Sequence, residues 1–169
     1  MAEYQESDSD NDNADNTDNK AAGGSNYARA SAARLMAVQA AYQLMYSRSS
    51  ARDVIDDYLH QRTGNNLGED VEAMPPDGAL FSAIVRGVKK DSQNLDAVIS
   101  AYSGRHWREL DALLQAILRC FAHELINHSE IDAPILISDY IEVTKAFYER
   151  DEARLVNGIT DAMAKDIRQ

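Results

Sequence analysis

The three prolines of this 169-residue chain, Pro75, Pro76 and Pro134, stand at only two points, so every other stretch is free of the residue that most reliably stops a helix. Within those stretches apolar residues recur at spacings of three and four, and no segment shows the sustained β-branched alternation of a strand. The expectation is an all-α domain of about seven helices. The first is predicted from about Asn26 to Ser47. Leu35, Val38, Tyr42, Met45 and Tyr46 form its apolar stripe, and Ala33, Ala37, Ala40 and Ala41 a small-residue flank that lets another helix approach closely. Ser50 followed by Asp53 resembles a capping box and opens a second helix to about Arg62. Residues 63–77, with Gly64, Gly68 and the proline pair, read as a loop. Asp77 is placed to cap a third helix over 78–90, and Asp91 a fourth that ends before Gly104. A fifth, about Trp107 to Asn127, carries the widest apolar arc, with Arg108, Gln115, Arg119 and His123 opposite it, and should be the helix around which the others pack. The sixth follows Pro134 and the seventh is capped by Asp151. Residues 26–169 are enough for one domain with its own core.

Charge divides the chain unevenly. Residues 1–20 hold seven acids against Lys20, a net −6 within a total of −11, and carry almost nothing apolar. Such a stretch buries too little surface to offset chain entropy, so residues 1–25 are expected to be a disordered acidic tail. From Asn19 to Arg52 there is no acid, while Lys20, Arg29, Arg34, Arg48 and Arg52 are present. This window is taken as the locally basic part of an acidic protein. Screening limits each charge to a reach of roughly 8 Å, so a local patch can still meet phosphate.

The residues point away from catalysis, metals and membranes. Asp8-x-Asp10-x-Asp12 hints at a calcium loop, but Asn13 and Asn19 stand where glycine and glutamate are needed. His123-Glu124 with His128 imitates a zinc-protease motif at a spacing of five, which turns the histidines 140° apart on a helix, so a surface histidine and a helix-end histidine are expected. Cys120, the one cysteine, excludes an internal disulfide and reads as a small core residue. No glycine-rich phosphate loop or nucleophile elbow is present, and no apolar run approaches the ~20 residues of a membrane span. The acidic, polar N-terminus is unlike a signal peptide. The expectation is a cytoplasmic non-enzyme, without cofactor or metal, that acts through a surface.

Four blocks carry a resemblance. Ala33-Arg-Leu-Met-Ala-Val-Gln-Ala-Ala-Tyr42 resembles the signature that opens the NusB family of bacterial transcription antitermination factors. Phe81 to Val88, Ala116-Ile-Leu-Arg119 with Glu124-Leu125, and Ile137 to Val143 with Leu155-Val-Asn-Gly158 are similar to that family's later helices, in order and spacing. The resemblance covers about 27–168. It implies an all-α fold of two small helical bundles and binding of single-stranded, boxA-like leader RNA of ribosomal RNA operons. It also implies a small-subunit ribosomal protein, NusE, as partner, and entry into the RNA polymerase elongation complex. In the family the first helix and the segment before it supply RNA contacts. Here Arg29-Ala-Ser-Ala-Ala33 stands in place of the basic run, and Arg34 is the matched base. The RNA-contact set is therefore Arg29 and Arg34 for phosphates, Arg48 at the far helix end, and Tyr27 and Gln39 for stacking and amide donation. Tyr42 matches the tyrosine that the resemblance places at the protein-partner surface. NusB-like domains also occur fused ahead of rRNA methyltransferases; with Gln169 a few residues past the last predicted helix, no such domain is expected to follow. A third reading is a protein-interaction or homodimeric helical module without RNA contact.

Overall fold

A computed structural model describes residues 14–64, 75–104 and 107–168, and within them the chain forms six α-helices and no strand. They are α1 (Ala14–Tyr46), α2 (Ala51–Gly64), α3 (Gly78–Ser100), α4 (Ala112–Asn127), α5 (Ala133–Lys145) and α6 (Arg150–Ile167), with a single 3-10 turn, Trp107–Glu109, before α4. α1 and α2 pack with α3, α4 packs with α5 and α6, and α4 also contacts α1 and α3, so it joins the two groups as the helix with the widest apolar arc should.

Local chemistry explains most of the boundaries. Ser50 Oγ accepts from the Asp53 N–H (3.1 Å) while the Asp53 carboxylate accepts from the Ser50 N–H (3.3 Å), the expected reciprocal cap. Asp77 accepts from the Ala79 and Leu80 N–H groups, both at 3.0 Å. Pro134 lies in the first turn of α5, where its missing N–H has no intrahelical role.

Four expectations are corrected. α1 reaches back to Ala14 instead of starting at Asn26, and absorbs Gly23-Gly24: no proline interrupts it, and both glycines face open space. Residues 1–13, with the Asp8-x-Asp10-x-Asp12 stretch, lie outside the described residues. The third and fourth predicted helices are one element. Asp91 leaves helical geometry (φ −108°, ψ 17°) but only kinks α3, because no glycine or proline follows to turn the chain away. The predicted fifth helix is broken before Ala112, where Asp111 caps α4 by accepting from the Leu113 N–H at 2.9 Å. At α6 the cap position is Glu149, and Asp151 falls in the first turn, where its charge favours the helix dipole.

The alanine face of α1 is its core face. Ala33, Met36, Ala37, Val38, Ala40, Ala41 and Leu44 are buried, while Tyr42 and Tyr46 of the predicted stripe are exposed. Small side chains let α1 lie close against α3 and α4, with Phe81, Ile117, Leu118 and Phe121 among the fully buried residues. The chain's far end is tied to this core. Arg168, just past α6, donates from Nε to the Leu125 carbonyl (2.8 Å) and from Nη2 to those of Glu124 (3.2 Å) and His128 (2.9 Å), with Nη1 on Ile131. A cation there bonds carbonyls at and just past the C-terminus of α4, the helix end that favours positive charge.

Candidate nucleic-acid interface

Arg34 leaves the RNA set, because the fold takes it inside. Its residue exposure is 2%, and α4 and α5 supply its partners. Nε donates to Glu124 Oε1 (2.9 Å), Nη2 to Glu124 Oε2 (2.9 Å), and Nη1 to Asp139 Oδ2 (2.5 Å). Tyr140 donates its hydroxyl to Glu124 Oε1 at 2.7 Å, and Tyr27 and Ser31 donate theirs to Asp139 Oδ1 at 2.8 and 2.7 Å. Both carboxylates are buried, and each oxygen accepts at least one bond. Burial opposes the guanidinium's charge, but the Glu124 bond and charge and the Asp139 bond outweigh it and raise its pKa above the ordinary value. The Tyr140 hydroxyl is pushed well above its ordinary range, chiefly by desolvation. Arg34 thus locks α1 onto α4 and α5 and has no free face for phosphate.

The remaining predicted contacts are not brought together. Tyr27 is 48% exposed; its hydroxyl is held by Asp139, which leaves ring surface for stacking. Arg29, on another side of the helix, donates from Nε to the Pro75 carbonyl (3.2 Å), and its own carbonyl accepts from the Asp77 N–H (3.0 Å). Arg48 is exposed beyond the end of α1, about 28 Å along the helix from Arg29. Gln39 is exposed and lies with Tyr42, lining a groove between α1, α2, the start of α4 and the segment that follows α5. That groove has a volume of about 760 Å³, and Leu113, Tyr58, Phe147 and Tyr148 supply its apolar surface. Tyr42 rests against Tyr46 with ring centroids 5.2 Å apart, and Tyr42, Tyr46 and Phe147 are all exposed. One wall is fixed by the Tyr148 hydroxyl, which donates to Asp111 and holds that carboxyl below its usual range.

His123, expected on the polar surface, is 7% exposed. α3 passes it at Gly87, whose missing side chain leaves the room that the imidazole fills. His128 ends the helix and bonds Glu130 at 2.8 Å, with the two histidine rings 6.0 Å apart. Desolvation, and then His128, lower the His123 pKa below 6.5, partly opposed by Glu124 and Asp91. A histidine held neutral in the fold makes the unfolded chain bind the extra proton first. Stability should therefore fall as pH drops below about 6.5 and level off below the folded value. Melting temperatures between about pH 7.5 and 5.5 should show this decline, and His123→Gln should flatten it. Cys120 is fully buried, and burial pushes its thiol up, away from nucleophilic use.

The described residues thus form an all-helical body of two packed groups, with an exposed aromatic groove and the signature arginine turned inward. A family model for the NusB family matches residues 31–165, and the chain belongs to that family. It is 40% identical to the transcription antitermination protein NusB of Bartonella henselae over 81% of this chain and 87% of that protein. It is 35% identical to the protein of the same name from a Bradyrhizobium species, over 90% and 88%. Its fold is similar to T. maritima NusB, with a TM-score of 0.66 at 24% identity, covering 80% of this chain and 90% of that one. No described helix is long and apolar enough to cross a membrane.

Proposed function

We propose that this chain is a transcription antitermination factor of the cytoplasm. Together with a small-subunit ribosomal protein, NusE, it holds boxA-like leader RNA of ribosomal RNA operons and joins the elongating RNA polymerase. The observation that carries the reading is the family match over residues 31–165, to relatives that bear the name transcription antitermination protein NusB. The groove at Tyr42 supports a protein partner: exposed aromatic rings beside apolar walls are the usual anchors of an interface core. Tyr27, Arg29 and Arg48 remain for RNA, with Gln39 on the groove rim where RNA and partner would meet. With Arg34 withdrawn, few cations are left near α1, and each phosphate contact adds salt-sensitive affinity.

The isolated protein should therefore bind a boxA-like single strand weakly, and the ribosomal protein should raise the affinity substantially. Titration of the labelled strand with each protein and with both measures this. Tyr42→Asp should remove most of the gain from the partner and leave the weak binding of the isolated chain unchanged. Tight binding by the isolated chain, unaltered by the partner, would overturn the joint site; partner binding with no RNA binding would favour the protein-interaction module.

A further inference from the structure

The segment Gly78–Lys90 contains no acid and three cations, Arg86, Lys89 and Lys90. Helical spacing sets these three on one face of α3, opposite the buried Phe81, Ile84, Val85 and Val88. All three are exposed, and among the described residues none makes an ion pair. Arg52, Lys145 and Lys165 find carboxylates on their own helices, and the other exposed cations without an ion pair among the described residues, Arg48, Arg108 and Arg150, stand on separate segments. In a chain of net charge −11, three adjacent exposed cations without an ion pair among the described residues form a local basic face. One turn further on, Gln93 lines a shallow depression of about 850 Å³ with Ala97, Trp107 and Arg108. Among the described residues the one carboxylate lining it, Asp96, is held by Arg119 at 2.6 and 2.8 Å. No exposed large apolar residue lies on α3. A protein interface needs such anchors at its centre, whereas an RNA backbone needs only cations and polar donors.

We propose that this face of α3 is a backbone-binding strip for single-stranded RNA, on which Arg86, Lys89 and Lys90 neutralise phosphates and Gln93 offers its amide. The proposal rests on the RNA-binding reading above and adds a second contact region to it. Arg29 stands at the start of α3, where its carbonyl accepts from Asp77, and Arg86 lies about 13 Å further along that helix. A strand anchored near α1 thus needs only modest length to reach the strip. With no exposed aromatic side chain for stacking, the strip contacts backbone and is indifferent to sequence.

The test compares the full chain with its Arg86→Gln/Lys89→Gln/Lys90→Gln variant, with and without the ribosomal protein. The probes are a boxA-like hexanucleotide and a single strand of about 24 nucleotides that contains it. On the longer strand the variant should bind at least about tenfold more weakly at ~0.1 M salt, with a log–log salt slope shallower by about 2. The hexanucleotide affinity and the melting temperature should stay unchanged. Equal affinity and slope on the longer strand, where the unaltered chain binds, would overturn the strip and leave the RNA reading standing. An equal loss on both probes would overturn the strip as a separate region. Loss of ribosomal-protein binding with RNA binding retained would assign the face to protein and overturn the proposal. If the unaltered chain binds neither RNA under any of these conditions, the RNA reading itself fails and takes the strip with it.

Discussion

Arg34→Ala is expected to lower the stability of this protein by about 3–5 kcal/mol, the range for removing one partner of a buried ion pair. The variant leaves Glu124 and Asp139 at 0% and 3% exposure with no cation between them. Glu124 keeps only the Tyr140 hydroxyl at 2.7 Å, and Asp139 only those of Tyr27 and Ser31. Uncompensated buried charge is the costly outcome, so removing the charges together should cost less. Arg34→Met with Glu124→Gln and Asp139→Asn should recover much of the loss, since the amides still accept from the three hydroxyls. Denaturant unfolding of both variants reads the difference. The salt slope of RNA binding by the folded fraction of Arg34→Ala should match that of the unaltered chain, because no phosphate contact is lost. A shallower slope at unchanged stability would return Arg34 to the RNA surface.

The inward turn of Arg34 shows where sequence reading stops. Helix type, the caps at Ser50, Asp77 and Pro134, and the central place of the 112–127 segment were all legible, because each depends on residues within a few positions of one another. The absence of local acid made Arg34 look free, yet its partners sit 90 and 105 residues away. Pairing at that distance leaves no periodic trace. Arg86, Lys89 and Lys90 were hidden as a basic group because Asp77 and Asp91 bracket them and dilute their charge. A scan for acid-free runs bounded by caps would have found them. Asp91 was legible as a break in helical geometry; that it kinks α3 without ending it follows from the lack of a glycine or proline after it. Burial of His123 was likewise hidden, because its cause is a glycine on another helix.

That glycine gives the sharpest contrast between local and tertiary reasoning. Gly87 lies inside α3, where helix propensity alone says that alanine should stabilise by roughly 1 kcal/mol. In the structure a Cβ at position 87 would stand 1.9 Å from His123 Cε1 and 2.3 Å from Nε2. The imidazole has little room to yield, being buried and held by Asn127, whose Nδ2 lies 3.2 Å from its Nδ1. Either α3 moves off α4 or the ring leaves its place, and overpacking of this kind costs about 1–3 kcal/mol, occasionally more. Gly87→Ala should therefore destabilise by about 1–2 kcal/mol net, the upper part of that range less the propensity gain and opposite in sign to it. His123→Ala in the same chain should relieve the clash, so that the double variant is more stable than the two single losses add up to, with a coupling of about 2 kcal/mol. Gly158→Ala in α6 is the control, since nothing stands within 4 Å of its added Cβ, and it should gain about 0.5–1 kcal/mol. Were Gly87→Ala to gain stability as Gly158→Ala does, the close contact between α3 and His123 would be wrong, and with it the reason for the histidine's burial and its pH dependence.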